Sequence, residues 1–229
     1  MPENHERKTL ISPLTGRKSE VFLRGNGTYI GSGNEARYII QELVLIKNGR
    51  ERNAGKFAER DPKYARAWEF FVSDDYVKHY LELKQADLPV PLTVRQIEGT
   101  RSIIVTDLTE GNKKLVFSMN EIFEKKVDFE EVIKNKQNVK KQLIEISQKA
   151  DRAGFNIYED TYFFIVDSEG NANVILGDLG LGVTKKTSRI FDYHASEREA
   201  RQLYNKLAHK GVVESIKKVF TPKKIAYTD

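Results

Sequence analysis

Short runs of β-branched and aromatic residues, cut by closely spaced glycines, occupy the first sixty positions and leave the backbone few options. Residues 21–23, 28–30, 38–46 and 52–58 have the composition of strands, and Gly25-Asn26-Gly27, Gly31-Ser32-Gly33 and Asn48-Gly49 separate them. Asn48-Gly49 is the sharpest of these breaks. Both central residues of a type I′ turn need positive φ, so this pair between two extended runs predicts a hairpin. The opening quarter therefore reads as an antiparallel meander. Residues 1–19, with Pro2, Pro13, Gly16 and many charges, read as a loose leader or an edge-packed arm.

The pattern then changes period. Asp61-Pro62 supplies an N-cap and a first-turn proline, and Ala65, Trp68, Val72, Tyr76 and Tyr80 follow at spacings of three and four, which predicts one long helix to about Lys84. Leu88-Pro-Val-Pro91 stops it. Residues 92–97 and 102–105 read as strands joined across Glu98-Gly99, and residues 106–114 as a hinge between two lobes. Beyond it, residues 120–123 and 129–133 are short helical pieces, and 139–153 is a helix with Val139, Leu143, Ile146 and Ala150 on its apolar stripe, ending at Gly154. Residues 162–166 and 172–176 form a strand pair turning at 167–171. The last forty residues are helical, with Ser196 and Glu199 as a capping box and Leu203, Leu207, Val212, Ile216 and Val219 facing inwards.

Composition removes several classes of function. The 229 residues include 12 Phe and 10 Tyr, enough large apolar side chains to build a core in one large domain or two lobes. There is no cysteine, hence no disulfide, no thiolate metal site and no cysteine nucleophile. The histidines, His5, His79, His194 and His209, lack metal-binding spacing. No apolar run is long enough for a membrane span, and MPENHERK lacks a signal peptide's apolar stretch, so the expectation is a cytoplasmic protein, or one exported without a classical signal. A net charge of +5 favours anionic partners without choosing among them. The Lys-rich stretches 134–141 and 217–224 read as solvated helix faces, which makes nucleic acid an unlikely partner. RNA binding would have to show itself as a strong salt dependence.

Three local patterns carry chemistry. Gly31-Ser32-Gly33-Asn-Glu-Ala36 is a glycine loop between two predicted strands, where bare backbone N–H groups can approach phosphate oxygens. Ala54-Gly-Lys56 places Ala and Lys on one face of a strand. Residues 174–180, Val-Ile-Leu-Gly-Asp178-Leu-Gly180, run a strand into D-L-G, and Tyr158-Glu159-Asp160 lies upstream with Asp160 18 positions before Asp178.

In this order the patterns resemble the protein-kinase-like fold. The resemblance implies an α+β, two-lobed molecule: an arm (1–19), an antiparallel β N-lobe (20–108) and a reduced, mainly helical C-lobe (109–229). It implies ATP and Mg²⁺ as cofactors. Gly31, Ser32, Gly33, Ala36 and Ala54 would line the nucleotide site, with Thr106 and Leu108 at the hinge. Lys56 would reach the phosphates and pair with an acid on the following helix, Glu69 or Asp75, with Glu69 favoured for its longer reach. Asp178 would hold the metal, and Asp160 would orient the substrate hydroxyl.

The departures are equally legible. Tyr158-Glu159-Asp160 stands where a kinase has H-R-D, the loop after it is shortened, and an aromatic occupies the place of the second metal-holding Asn. Asp151-Arg-Ala-Gly-Phe-Asn156 satisfies D-x-x-x-x-N literally but lies at a helix end. Fewer residues follow Asp178 than a full kinase C-lobe uses, and no A-P-E follows. That economy is similar to the minimal kinases that bacterial pathogens deliver into host cells. The implied activity is an atypical Ser/Thr protein kinase, a monomer acting on a protein substrate, with a host protein as one candidate. A pseudokinase or nucleotide-binding module without phosphotransfer, and a small-molecule kinase of the aminoglycoside or choline type, are the alternatives.

Overall fold

The computed structural model describes residues 6–24, 28–29, 37–40, 42–47, 50–53, 67–71, 75–92, 94–106, 108–110, 113–124, 126–180, 182–186 and 193–220. Its first half is an antiparallel sheet. The strands β1 (Glu6–Ile11), β2 (Lys18–Arg24), β3 (Thr28–Tyr29), β4 (Arg37–Ile40), β5 (Glu42–Lys47), β6 (Arg50–Asn53), β7 (Ala67–Phe71), β8 (Val94–Ile97) and β9 (Ser102–Thr106) lie in the order β3-β4-β7-β9-β8-β1-β2-β5-β6. Lys47 pairs with Arg50, the register a two-residue connection at Asn48-Gly49 requires. The expected single run 38–46 is two strands, β4 ending at Ile40 and β5 beginning at Glu42.

Two expectations fail here. Residues 6–11 are not a loose or edge-packed arm: β1 is interior, paired with β2 on one side and with β8 on the other. The turn that returns it is built by Pro13 to Gly16. Gly16 takes φ +67 and the Ser12 carbonyl accepts from its N–H at 2.8 Å, a conformation a side-chain-bearing residue would resist. The helix predicted from Asp61 to Lys84 is also corrected. Residues 67–71 form β7, and the described helix α1 covers Asp75–Gln85. The run Ala-Trp-Glu-Phe-Phe satisfies a helical spacing, but aromatic side chains fit a pleated surface, and β7 sits between β4 and β9 with both ladders filled.

The second half packs helices around a smaller sheet. After β10 (Leu115–Ser118) come α2 (Met119–Phe123), α3 (Phe129–Val132) and α4 (Lys136–Arg152), then β11 (Phe155–Ile157), a 3₁₀ turn (Glu159–Thr161), β12 (Tyr162–Val166), β13 (Ala172–Leu176), β14 (Val183–Lys185) and α5 (Tyr193–Phe220). One sheet is β10-β12-β13 and another is β11-β14. Ser118 and Glu121 cap α2 reciprocally, and Asp128 accepts from the Glu130 and Glu131 amides to start α3. Val139, Leu143, Ile146 and Ala150 are all buried, as their spacing predicts. Ser196 is no N-cap: α5 is already helical at Tyr193, and the buried Ser196 hydroxyl donates to Asp151 at 2.5 Å.

The fold is thus α+β, with an antiparallel N-terminal sheet and a mainly helical C-terminal part. One continuous apolar core joins Tyr76, Tyr80 and Leu83 of α1 to Leu143, Phe164 and Leu207. Phe164 stacks on Phe117 at 5.6 Å and meets Phe129 edge-on at 6.2 Å. Each such ring contributes about 1.5–3 kcal/mol on burial. The free edge of β13 is closed by side chains of the α4 region. Asn135 exchanges two hydrogen bonds with the Ala172 backbone, and the Gln142 carbonyl accepts from Val174 N–H at 2.7 Å. Among the described residues no helix is long and apolar enough to cross a membrane.

Candidate active site

The β12–β13 hairpin places the two acids that the sequence singles out. Tyr162 pairs with Leu176, so the residues before β12 and after β13 leave the hairpin side by side. Gly177 begins the exit. Its N–H donates to the Thr161 carbonyl at 2.8 Å, and the Phe163 ring fills the space where a Cβ would stand, 2.6 Å away. Any larger residue would have to displace that ring.

Gly182 closes the arrangement. Its carbonyl accepts from Tyr158 N–H at 2.9 Å and from the Thr161 hydroxyl at 2.6 Å. A Cβ there would collide with Thr161 Oγ1 and come within 2.8 Å of the Asp178 carbonyl and 3.0 Å of Asp160 Oδ1. The Asp160 carboxylate and the Asp178 main chain therefore meet across a residue that must have no side chain. Thr161, fully buried, ties both strands of this junction together.

Asp160 Oδ1 is buried and, among the described residues, has no hydrogen-bond partner. A buried carboxylate oxygen left unpaired is costly, so this oxygen is open to a donor or cation that reaches it. Asp178 is half-buried, and its Oδ1 lies 3.4 Å from the Gly180 N–H, the geometry of a tight turn holding the carboxylate back on its own loop. Both acids are hard oxygen donors, which suits Mg²⁺. That ion is usually held through one or two carboxylates and the oxygens of a phosphate rather than by an all-protein cage. Among the described residues no group of three or more His, Asp or Glu side chains gathers to form such a cage.

Helix α1 reaches the same loop from the other side. The Tyr76 hydroxyl donates to the Gly177 carbonyl at 2.9 Å, and His79 Nδ1 lies 2.7 Å from the Leu179 carbonyl. A carbonyl can only accept, so this is the tautomer with the proton on Nδ1. Leu179 is fully buried beneath it.

No family model and no curated protein matches the chain. Among solved structures it is similar to the crystal structure of a Toxoplasma gondii specific rhoptry antigen kinase domain, at 10% identity and a TM-score of 0.38, over 80% of this chain and 55% of that one. The chain therefore spans little more than half the length of that domain. What the site can do is decided by the residues around Gly182.

Of the residues expected in the site, Asp160 and Asp178 are brought together. Gly31, Ser32, Gly33, Ala36, Ala54 and Lys56 lie outside the described residues. Glu69 does not stand on the helix: it is in β7, opposite Tyr38 and Ile104, whereas Asp75 is the first residue of α1. Thr106 ends β9 opposite Ala67, and Leu108 is half-buried in the turn that carries the chain out of the first sheet. Asp151, the literal D-x-x-x-x-N alternative, is committed elsewhere. It is buried, paired with Lys186 and bonded to Ser196, which fastens the end of α4 to α5 and to the segment after β14. Tyr76, His79, Thr161 and Gly182 escape a reading by motif. Tyr76 reads as a member of an apolar stripe, His79 as a scattered histidine without metal-binding spacing, and the others as ordinary loop residues.

Proposed function

We propose that the chain is an ATP- and Mg²⁺-dependent phosphotransferase of the protein-kinase-like type, acting on Ser or Thr hydroxyls of a protein. The observation that carries this reading is the meeting, at Gly182, of the Asp160 carboxylate with the main chain of Asp178, the Asp160 oxygen being buried and without a hydrogen-bond partner among the described residues. Asp178 would hold Mg²⁺, with Asp160 beside it. The ion, when bound, neutralises charge developing on the phosphate oxygens during transfer. Asp160 would orient the acceptor hydroxyl and take its proton. Lys56 would contact the phosphates, the 31–36 loop would cradle them, and Thr106 and Leu108 would flank the base. Positioning and charge neutralisation, not a covalent intermediate, would supply the rate.

A second reading, nucleotide binding without transfer, is favoured by one observation. The 3₁₀ turn Glu159–Thr161 runs directly into β12, leaving no loop between Asp160 and the strand to carry a second metal-holding Asn. Incubation with labelled ATP and cell extract separates the two. Wild type should label a protein, and Lys56→Ala, Asp178→Ala and Asp160→Asn should not. Thermal stabilisation by ATP should require Mg²⁺, vanish in Asp178→Ala and survive in Asp160→Asn. Metal-dependent stabilisation with no labelling in any extract would support the binding module. No stabilisation at all would refute both.

A further inference from the structure

Helix α1 touches the acid-bearing loop through residues one turn apart. Tyr76 bonds the carbonyl before Asp178 and His79 bonds the carbonyl after it. One turn further on, Glu82 pairs with Lys185 at 3.0 Å, and the same ammonium lies 4.1 Å from the centre of the Phe155 ring, against which His79 packs edge-on at 6.4 Å. Positions 76, 79 and 82 share a helix face, so a single rigid element meets the loop and the strand after it at three successive points. The two peptide units that flank the Asp178 Cα are those whose carbonyls belong to Gly177 and Asp178. Tyr76 fixes the first directly, and His79 fixes the next unit along, at Leu179.

We propose that Tyr76 and His79 are positioning residues for Asp178: the α1 hydrogen bonds on either side set the direction of its carboxylate, and metal affinity at this loop is governed from α1. This deepens the phosphotransferase reading and rests on it for the metal. His79 is buried, and the carbonyl it serves belongs to a fully buried residue, so removing the donor leaves a polar atom without water or partner. The loop then gains by turning that carbonyl towards solvent, and Asp178 turns with it.

The test uses the full chain and three substitutions. His79→Phe keeps a buried ring but removes the N–H. His79→Asn keeps a donor at the place of Nδ1. Tyr76→Phe removes only the hydroxyl. Hydrogen exchange of the free protein over residues 177–182, and Mn²⁺ titration followed by electron paramagnetic resonance with saturating ATP, are the readouts. His79→Phe and Tyr76→Phe should each speed exchange and weaken Mn²⁺ binding by about tenfold, the size expected for one buried hydrogen bond. His79→Asn should return both towards wild type. Tyr76→Phe, the milder change, retains the test should His79→Phe fail to fold. Wild-type exchange rates in both Phe variants would overturn the proposal whatever the metal does. Faster exchange rescued by Asn, with no Mn²⁺ bound even by wild type, would support the positioning of the loop and refute the phosphotransferase reading.

Discussion

Adding one methyl group at Gly182 is the most direct test of the junction. Gly182 does not have a left-handed φ, so alanine meets no backbone strain, and in open space the change would stabilise by about 0.4–1 kcal/mol. Here the methyl overlaps Thr161 Oγ1 and crowds the Asp178 carbonyl at 2.8 Å and Asp160 Oδ1 at 3.0 Å. Thr161 cannot swing away freely, because it is fully buried and its hydroxyl is bonded to the carbonyl of Gly182 itself. Overpacking of this kind costs about 1–3 kcal/mol, and the broken hydrogen bond adds about 1 kcal/mol. Less the backbone gain, a net loss of about 1–3.5 kcal/mol should lower Tm by roughly 3–14 °C in a chain of this size. Thermal unfolding by circular dichroism reads it. Thr161→Ala removes the closest obstacle, so the double variant should be more stable than the sum of the single changes by about 1 kcal/mol or more. Gly182→Ala should also lose stabilisation by Mg²⁺-ATP, because the methyl pushes the Asp160 carboxylate away from the main chain that carries Asp178. A Gly182→Ala protein that melts within about 2 °C of wild type and still responds to Mg²⁺-ATP would refute the reasoning.

Two further outcomes follow from groups outside the junction. Asp151→Ala strands the Lys186 ammonium and the Ser196 hydroxyl and should cost about 2–4 kcal/mol, the lower side of a broken buried pair because Lys186 keeps some contact with water. At a temperature where the variant is folded, Mg²⁺-ATP stabilisation should be intact, and its loss there would restore Asp151 as a candidate site residue. Burial, aided by the charge of Glu199, raises the Tyr162 phenol above its ordinary value of 10.0. The unfolded chain therefore gives up this proton first, and stability should fall as pH rises past about 10. Tyr162→Phe should flatten that alkaline loss in a series of melts from about pH 9 to 12 while changing its slope little at neutral pH. An unchanged alkaline slope would show that Tyr162 is not the group responsible.

The sequence announces the parts of the fold whose signals are local. Val139, Leu143, Ile146 and Ala150 repeat at helical spacing and are buried together, and the turn at 167–171 lies between strands of the expected bounds. Asp178 is legible because a strand runs into Asp-Leu-Gly, and Asp160 because of its interval from it. The misses are of another kind. Glu69 lies in a run that fits two periods at once, and the choice between them is made by β4 and β9, which no window around residue 69 contains. Leu10 and Ile11 are short of apolar neighbours in sequence, and the ladder that makes β1 interior pairs them with Ile97 and Gln96, more than eighty positions away. Ser196-x-x-Glu199 has the form of a cap, yet the hydroxyl is claimed by Asp151 on another helix. The hydroxyl of Tyr76 is invisible to a pattern that counts the residue as apolar, and a search for metal-binding spacing passes over a His79 that bonds a backbone carbonyl.

The interior place of β1 has a consequence for how the chain assembles. Its seam with β8 runs through Leu10 with Ile97, Ile11 with Gln96 and the Glu98 N–H donating to Thr9 at 2.9 Å. On one side of that seam stand β2, β5 and β6, and on the other β9, β7, β4 and β3 beyond β8. A hairpin made early in synthesis must wait for residues 94–97 to leave the ribosome before the two groups of strands can zip into one. Such distant pairing slows folding. Blocking residues 6–11 would leave two separate partial sheets, each with a raw flank open to other chains.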